Sequence, residues 1–166
     1  YLIETGHRNI IGVFKSDDMQ GQNRHRGYVQ ALQEAGLVYD PDRVIWFYTE
    51  DRRVHPYDGI CRLVQKQAAM DSVVCYNDQI AMKVIQALQD MGKRVPEDIS
   101  VTGYDNSFMA AGDGFHLTTI VHPQEKLGEM AAELLLDLIH HREGLESEQI
   151  LIEPELVIGN SCLDRR

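Results

Sequence analysis

The stretch Ser72–Asn106 reads SVVCYNDQIAMKVIQALQDMGKRVPEDISVTGYDN. Its opening, SVVCY (Ser72–Tyr76), is a short apolar run rich in β-branched residues and predicts a buried strand. Asn77 and Asp78 have the short polar side chains that cap a helix N-terminus. Behind them Ile80, Ala81, Val84, Ile85, Leu88 and Met91 recur at helical spacing. Gly92 stops this helix, Pro96 punctuates the loop, and ISVTG (Ile99–Gly103) is a second apolar strand. Strand, helix and strand in this order make a βαβ unit.

The same alternation extends upstream. NIIGVF (Asn9–Phe14) predicts a strand, and GQNRHRGYVQALQEAG (Gly21–Gly36) a helix with Tyr28, Ala31, Leu32 and Ala35 on one stripe. Asp40, Pro41 and Asp42 turn the chain into RVIWFY (Arg43–Tyr48). A polar loop with Pro56 then leads to a helix carrying Ile60, Leu63, Val64 and Ala68. Strands alternating with helices predict right-handed crossovers and a parallel sheet. The strands are continuously apolar, as a sheet covered on both faces requires. The expected fold class is α/β, a doubly wound parallel sheet.

Downstream the pattern changes. Residues 104–118 predict a loop with Gly-Asp-Gly at 112–114, leading to LTTIV (Leu117–Val121). Pro123 opens a helix running to His140, with Leu127, Met130, Ala131, Leu134, Leu135, Leu138 and Ile139 apolar, a stripe wide enough for two partners. QILIEPELVIG (residues 149–159) is strand-like, and Pro154 confines it to an edge or a bulge. YLIETG at the start reads as a last helical turn with Gly6 as its stop, and no initiator Met precedes it. The sequence is therefore expected to be a piece of a longer protein.

The 166 residues, 43% apolar and 25% charged, fit one globular domain. Sixteen Lys and Arg against 26 Asp and Glu leave a net charge of −10, a poor match to nucleic acid for this segment itself. No apolar run approaches the ~20 residues of a membrane span. Cys61, Cys75 and Cys162 are too few and too far apart for a disulfide scaffold, so a cytoplasmic setting is expected. The motifs G-x-S-x-G, G-x-G-x-x-G, a Walker loop and H-E-x-x-H do not occur, and the seven histidines lack metal-ligand spacing. No catalytic residue, metal or cofactor is expected.

Chemistry concentrates where the strands end. Ligands of open parallel sheets bind beyond the carboxyl ends of the strands. The first strand ends in Lys15, Asp17, Asp18, Gln20 and Arg24, the third in Asn77 and Asp78, the fourth in Asp105 and Asn106. Carboxylates accept, arginine donates in a fixed fork, and asparagine does both. That mixture suits a small polyhydroxylated molecule. On chemistry alone, capping remains open for Asn77 and Asp78, and a solvated helix position remains open for Arg24.

Read in order, GHRNIIGVF, R-x-R-G-Y-x-x-A-L-x-x-A-G, CYNDQIAMKVIQAL, RVPEDISVTGYDN, LTTIVHP followed by LG, and EPELVIGNS resemble the effector-binding domain of the lactose/galactose repressor family. FKSDDMQG and CYNDQIAMKVI are most similar to its arabinose-responsive members in Gram-positive bacteria. The resemblance implies two doubly wound lobes with a sugar or nucleobase in the cleft between them. Residues 1–120 and 147–166 would form the C-terminal lobe, and 121–146 a helix of the N-terminal lobe. Carried over position by position, Arg24, Asn77 and Asp105 would grip the ligand, with Gln20 and His122 contributing. The aromatic that stacks on the ring in some members falls near Val54 or His55 here, leaving Tyr57 or Phe14 as substitutes.

The expected protein is thus a sugar sensor, responsive to L-arabinose, that releases operator DNA allosterically. It would contact DNA through a domain outside this sequence, act as a homodimer and not touch a membrane. Two alternatives stay open. One is a sugar-processing α/β enzyme using Asp17, Asp78 and Asp105; the other is an extracytoplasmic sugar-binding protein.

Overall fold

The computed structural model describes residues 1–112, 114–140 and 150–166. In chain order it contains β1 (Ile10–Lys15), α1 (Met19–Glu34), β2 (Val44–Phe47), α2 (His55–Gln65), β3 (Ser72–Cys75), α3 (Asp78–Asp90) and β4 (Ser100–Thr102). A short hairpin, β5 (Ala111–Gly112) and β6 (Phe115–His116), precedes β7 (Thr119–Val121), α4 (Gln124–Ile139) and β8 (Glu155–Val157). Among the described residues no helix is long and apolar enough to cross a membrane.

The first four strands form one parallel sheet in the order β2-β1-β3-β4. The chain leaves β1 for one neighbour and later returns to the other, so the ends of β1 and β3 flank the point where strand order reverses. Period-two alternation divides the core in the sheet. Ile10 and Phe14 of β1 join Leu2, Tyr28 and Leu32 on the α1 face. Ile11 and Val13 join Phe47, Ile60, Val73, Val84 and Leu88 on the α2 and α3 face. The doubly wound expectation holds, and the continuous apolar strands are explained by cover on both faces.

Several boundaries differ from the sequence reading. Pro56 sits in the first turn of α2 rather than in a loop, where its missing N–H costs nothing. Ala68 lies beyond α2, because Gln67 takes a φ of 54° and closes the helix with bonds from Gln67 N to Val64 O and from Ala68 N to Leu63 O. Ala31 and Ala35 are exposed, since α1 packs through the narrow edge of Tyr28 and Leu32. The strand-like tail is shorter than expected: β8 starts at Glu155, just after Pro154, and pairs antiparallel with β7. The 146/147 boundary of the expected lobes, Asp113 and Gln149 lie outside the described residues.

No side chain of α4 is buried, and Leu135, Leu136, Leu138 and Ile139 are all exposed. Most of the apolar stripe read from the sequence is therefore uncovered by the described residues of this chain, with Met130 half-buried. β7 and β8 form their own two-stranded sheet, and Thr118 bridges to Thr102 at the edge of β4.

The opening segment is tied to the sheet by a buried histidine. Gly6, at φ 94°, ends a helical turn through bonds from its own N–H to Ile3 O and from His7 N–H to Leu2 O. The imidazole of His7 has no solvent exposure. Its Nδ1 lies 2.9 Å from Leu2 O, and its Nε2 lies 2.8 Å from Ser100 Oγ. A carbonyl only accepts, so Nδ1 carries the hydrogen and Nε2 accepts from the serine. Ser100 Oγ in turn accepts from Leu163 N–H at 3.1 Å, joining both ends of the chain to β4.

Burial pushes the pKa of His7 below the ordinary 6.5, and burial does the same to the half-buried His25. Below that ordinary value the unfolded chain takes up protons that the folded chain refuses, so stability falls as pH drops. The denaturant midpoint is expected to decrease between about pH 7.5 and about pH 5.5. His7→Gln should lose part of that decrease, with His25 keeping its share. An equally steep decrease in His7→Gln would contradict the account of His7.

Candidate functional site

Three helix and loop starts converge at the carboxyl ends of β1, β3 and β4. After β1 the chain turns at Asp18, whose Oδ1 accepts from Gly21 N–H at 2.6 Å and caps α1. Gly21 has to be glycine, because a Cβ there would fall 1.9 Å from Lys15 O. That close approach draws the first turns of α1 over the strand end. Gln20, just before the helix read from Gly21, is therefore helical, since the Asp18 cap starts α1 at Met19. Arg24 follows one turn later and points across the sheet edge.

Asn77 caps α3 by accepting from Ile80 N–H at 3.0 Å through Oδ1. Its amide nitrogen takes no partner among the described residues, so capping and ligand contact are compatible in one side chain. Asp78 has a different role. It is 1% exposed, and its carboxylate accepts from Thr119 Oγ1 and from Ser107 N–H, both at 2.6 Å. Its own N–H donates to Tyr104 O at 2.9 Å. Gly103 leaves room for this carboxylate, since a Cβ there would lie 2.2 Å from Asp78 Oδ1.

The loop held by Asp78 presents Asp105. Asp105 and Asn106 both adopt positive φ, 102° and 46°, and Asp105 N–H donates to Ile120 O at 2.9 Å. A non-glycine residue persists in that conformation only where its surroundings over-determine it, and such residues cluster at functional sites. The Asp105 carboxylate lies 3.6 Å from Arg24 Nη2 and 3.4 Å from His122 Nε2. Residues separated widely in sequence thus meet at one carboxylate.

Arg24 is held from three further sides. Its Nη1 donates to Tyr76 O, and its guanidinium carbon sits 3.7 Å from the Tyr104 ring centre and 4.6 Å from that of Tyr76. The Tyr104 ring also meets His122 edge-on at 4.7 Å between centroids. Tyr76 donates its hydroxyl to Asp18 Oδ2 at 2.8 Å, and Lys15 Nζ approaches the same oxygen at 3.0 Å. Burial opposes ionisation of Asp18, but bonds from Gly21, Lys15 and Tyr76 outweigh it and hold its pKa below the ordinary 3.8. Burial and the bond to Asp18 push the Tyr76 phenol up to about 12, so it remains a donor at neutral pH.

Of the residues predicted from sequence, Arg24 and His122 both meet Asp105. Asn77 lies at the neighbouring strand end, and the Gln20 amide reaches within 3.5 Å of the Tyr76 hydroxyl. A cavity of about 440 Å³ opens beside them, lined by Asp105, Asn106, His122 and the start of α4. The aromatics expected to substitute for a stacking ring do not serve. Phe14 is 1% exposed beneath α1, and Tyr57 donates its hydroxyl to Asp90 at 2.7 Å between α2 and α3. Val54 is exposed, and His55 faces Asp51. The aromatics at the site are Tyr76 and Tyr104, each directly preceding a predicted ligand residue, in YND and YDN.

A model described as "periplasmic binding protein-like domain" matches residues 1–162, and the chain belongs to that family. Two curated relatives are similar to the chain. The chain is 34% identical over 171 residues to the arabinose metabolism transcriptional repressor of Halalkalibacterium halodurans, covering all of this chain and 46% of the relative. It is 35% identical over 163 residues to the protein of the same description from Geobacillus stearothermophilus, covering 97% of this chain and 45% of the relative. The chain spans about half the length of the curated relatives it matches. Among solved structures, the complex of the transcriptional regulator CelR with cellobiose superposes with a TM-score of 0.86 at 32% identity, over 96% of this chain and 48% of that one.

Asp78 and Asp105 should part company on mutation. Asp78→Ala leaves two buried donors unsatisfied and should cost about 2–4 kcal/mol of stability, read from denaturant unfolding. Asp105→Asn keeps a residue tolerant of positive φ and should cost less than about 1 kcal/mol. Equal costs at the two positions would contradict their assignment to separate roles.

Proposed function

We propose that this chain is the effector-binding part of a sugar-responsive transcriptional repressor, and that its effector is L-arabinose. The observation that carries this reading is the meeting of Arg24 and His122 at the Asp105 carboxylate, where Asp105 and His122 line a strand-end cavity. Fixed donors and acceptors of both kinds at one opening suit hydroxyl groups, each of which donates and accepts. The likeness to two arabinose metabolism repressors supports the choice of sugar. Arg24, Asn77 and Asp105 are the principal ligand contacts, and Gln20 and His122 complete them.

The lobe assignment supports a mechanism. Residues 1–120 and 147–166 form one wall of the cleft, and 121–146 lead into the other. His122 lies where the chain crosses, so a sugar held by Arg24 and Asp105 also biases the crossover. Preferential binding to the closed arrangement then shifts the population and releases operator DNA, which is held by a domain outside this sequence. The protein works in the cytoplasm as a homodimer, with the exposed leucines of α4 covered by the other lobe and the second subunit.

A catalytic reading is disfavoured by what two of its three strand-end carboxylates already do. Asp78 is engaged by Thr119 and Ser107, and Asp17 accepts from Thr49 N–H at 3.1 Å.

Calorimetry on the whole protein with L-arabinose, other pentoses, hexoses, a sugar phosphate and a nucleobase tests the proposal. L-Arabinose should bind most tightly and be recovered unchanged. A charge-assisted hydrogen bond is worth ~1.5–3 kcal/mol, so Arg24→Ala and Asp105→Asn should each weaken binding roughly tenfold to a hundredfold. Asn77→Ala should weaken binding and also cost about 1 kcal/mol of stability through the lost cap. Tight binding of a phosphosugar without any response to L-arabinose would overturn the assignment.

A further inference from the structure

We infer that Tyr76 is a positioning residue for ligand recognition, acting through Arg24. This deepens the sugar-binding reading and rests on it for the consequence, though not for the geometry. An arginine side chain has four rotatable bonds, and Arg24 projects from a helix toward an open cleft. Left alone it would sample many rotamers and give up much of its binding advantage to ordering. In this structure its side chain is only 15% exposed and its guanidinium lies between two aromatic rings.

The two rings are held differently. Tyr104 is fixed by its own backbone, through the bond from Asp78 N–H to Tyr104 O, and by the edge of His122. Tyr76 is fixed through its side chain. Its hydroxyl donates to Asp18, the cap of the very helix that carries Arg24, and its ring meets Phe47 edge-on at 5.8 Å. A closed circuit results: α1 offers Arg24 to Tyr76, and Tyr76 returns to the cap of α1. Lys15 holds Asp18 from the other side. The circuit sets the distance between the end of β3, which carries Asn77, and the start of α1, which carries Gln20 and Arg24. Three proposed ligand contacts are thereby placed by one side chain that need not touch the ligand.

A cation between aromatic faces is stabilised by each ring, more so out of water. Removing the Tyr76 ring should therefore loosen Arg24, which keeps its bond to the Tyr76 carbonyl and the Tyr104 ring, and removing only the hydroxyl should loosen it less. The test uses the whole protein and three variants, Tyr76→Leu, Tyr76→Phe and Tyr76→Leu combined with Arg24→Lys. Isotope-labelled arginine reports the Arg24 side chain by NMR, and calorimetry reports L-arabinose affinity. Ring currents should shift the Arg24 signals in the parent and in Tyr76→Phe, and part of that shift should be lost in Tyr76→Leu, where only the Tyr104 ring remains. Affinity should fall roughly tenfold in Tyr76→Leu and less than about threefold in Tyr76→Phe. With Arg24→Lys already present, Tyr76→Leu should change affinity by less than about twofold, the non-additivity expected of residues in contact.

Should Tyr76→Leu fail to fold, Tyr76→Met supplies an unbranched apolar side chain for the same readings. Arg24 signals that do not respond to loss of the ring would overturn the inference, whatever the sugar does. So would fully additive losses in the double variant. Arg24 signals that respond in a protein binding none of the sugars would uphold the positioning role and overturn the sugar reading instead.

Discussion

A carboxylate taken out of water must find hydrogen-bond donors, and Asp78 finds them on two segments far along the chain. Thr119 supplies a hydroxyl and Ser107 an N–H, and Asp78 N–H in turn donates to Tyr104 O, so residues 104–107 are pinned against the start of α3. Gly103 makes the space that the carboxylate needs. With both ends held, residues 104–106 have little freedom, and Asp105 and Asn106 take positive φ. Asp105 consequently faces Arg24 and His122 rather than solvent alone. The cost of a left-handed aspartate is offset by the bonds on either side of it, so the geometry exists before any ligand arrives.

Charge pairing at the strand ends gives that geometry a preference. Lys15 lies beside Asp17 and Asp18, and Arg24 beside Asp105. Three carboxylates against two cations leave no spare positive charge for a phosphate or carboxylate ligand among these side chains. A neutral polyol, by contrast, can slip its hydroxyls between paired groups and exchange hydrogen bonds with both. Because Arg24 and Asp105 are 3.6 Å apart, looser than a tight bidentate pair, a hydroxyl can compete for either. The cleft is built for exchange of hydrogen bonds rather than for neutralisation of charge.

The fold was legible because its signal is repetitive. Apolar strands alternate with amphipathic helices, and only a parallel sheet covered on both sides accommodates that order. Asn77 and Asp105 were legible as candidates because they lie just beyond apolar strands. Tyr76 escaped notice because an aromatic closing an apolar run reads as part of the strand, and Tyr104 because it reads as the first residue of a loop. Whether either ring points into the core or over a neighbour depends on contacts with Arg24, 52 residues earlier in the case of Tyr76. Asp78 looks like an ordinary cap from sequence, because its partner Thr119 is 41 residues away. Phe14 was open to either reading, and only the packing of α1 over β1 puts it in the core. Local pattern carries element type and order; it carries little about which side chains meet.

The central claim is that Arg24 and Asp105 bind the effector together. A crystal structure of the whole protein with L-arabinose would test it most directly. The account predicts sugar hydroxyls within hydrogen-bond distance of the Arg24 guanidinium, the Asp105 carboxylate and the Asn77 amide, with Arg24 still between Tyr76 and Tyr104. Sugar seated elsewhere, with the Arg24–Asp105 pair unchanged and facing water, would contradict it.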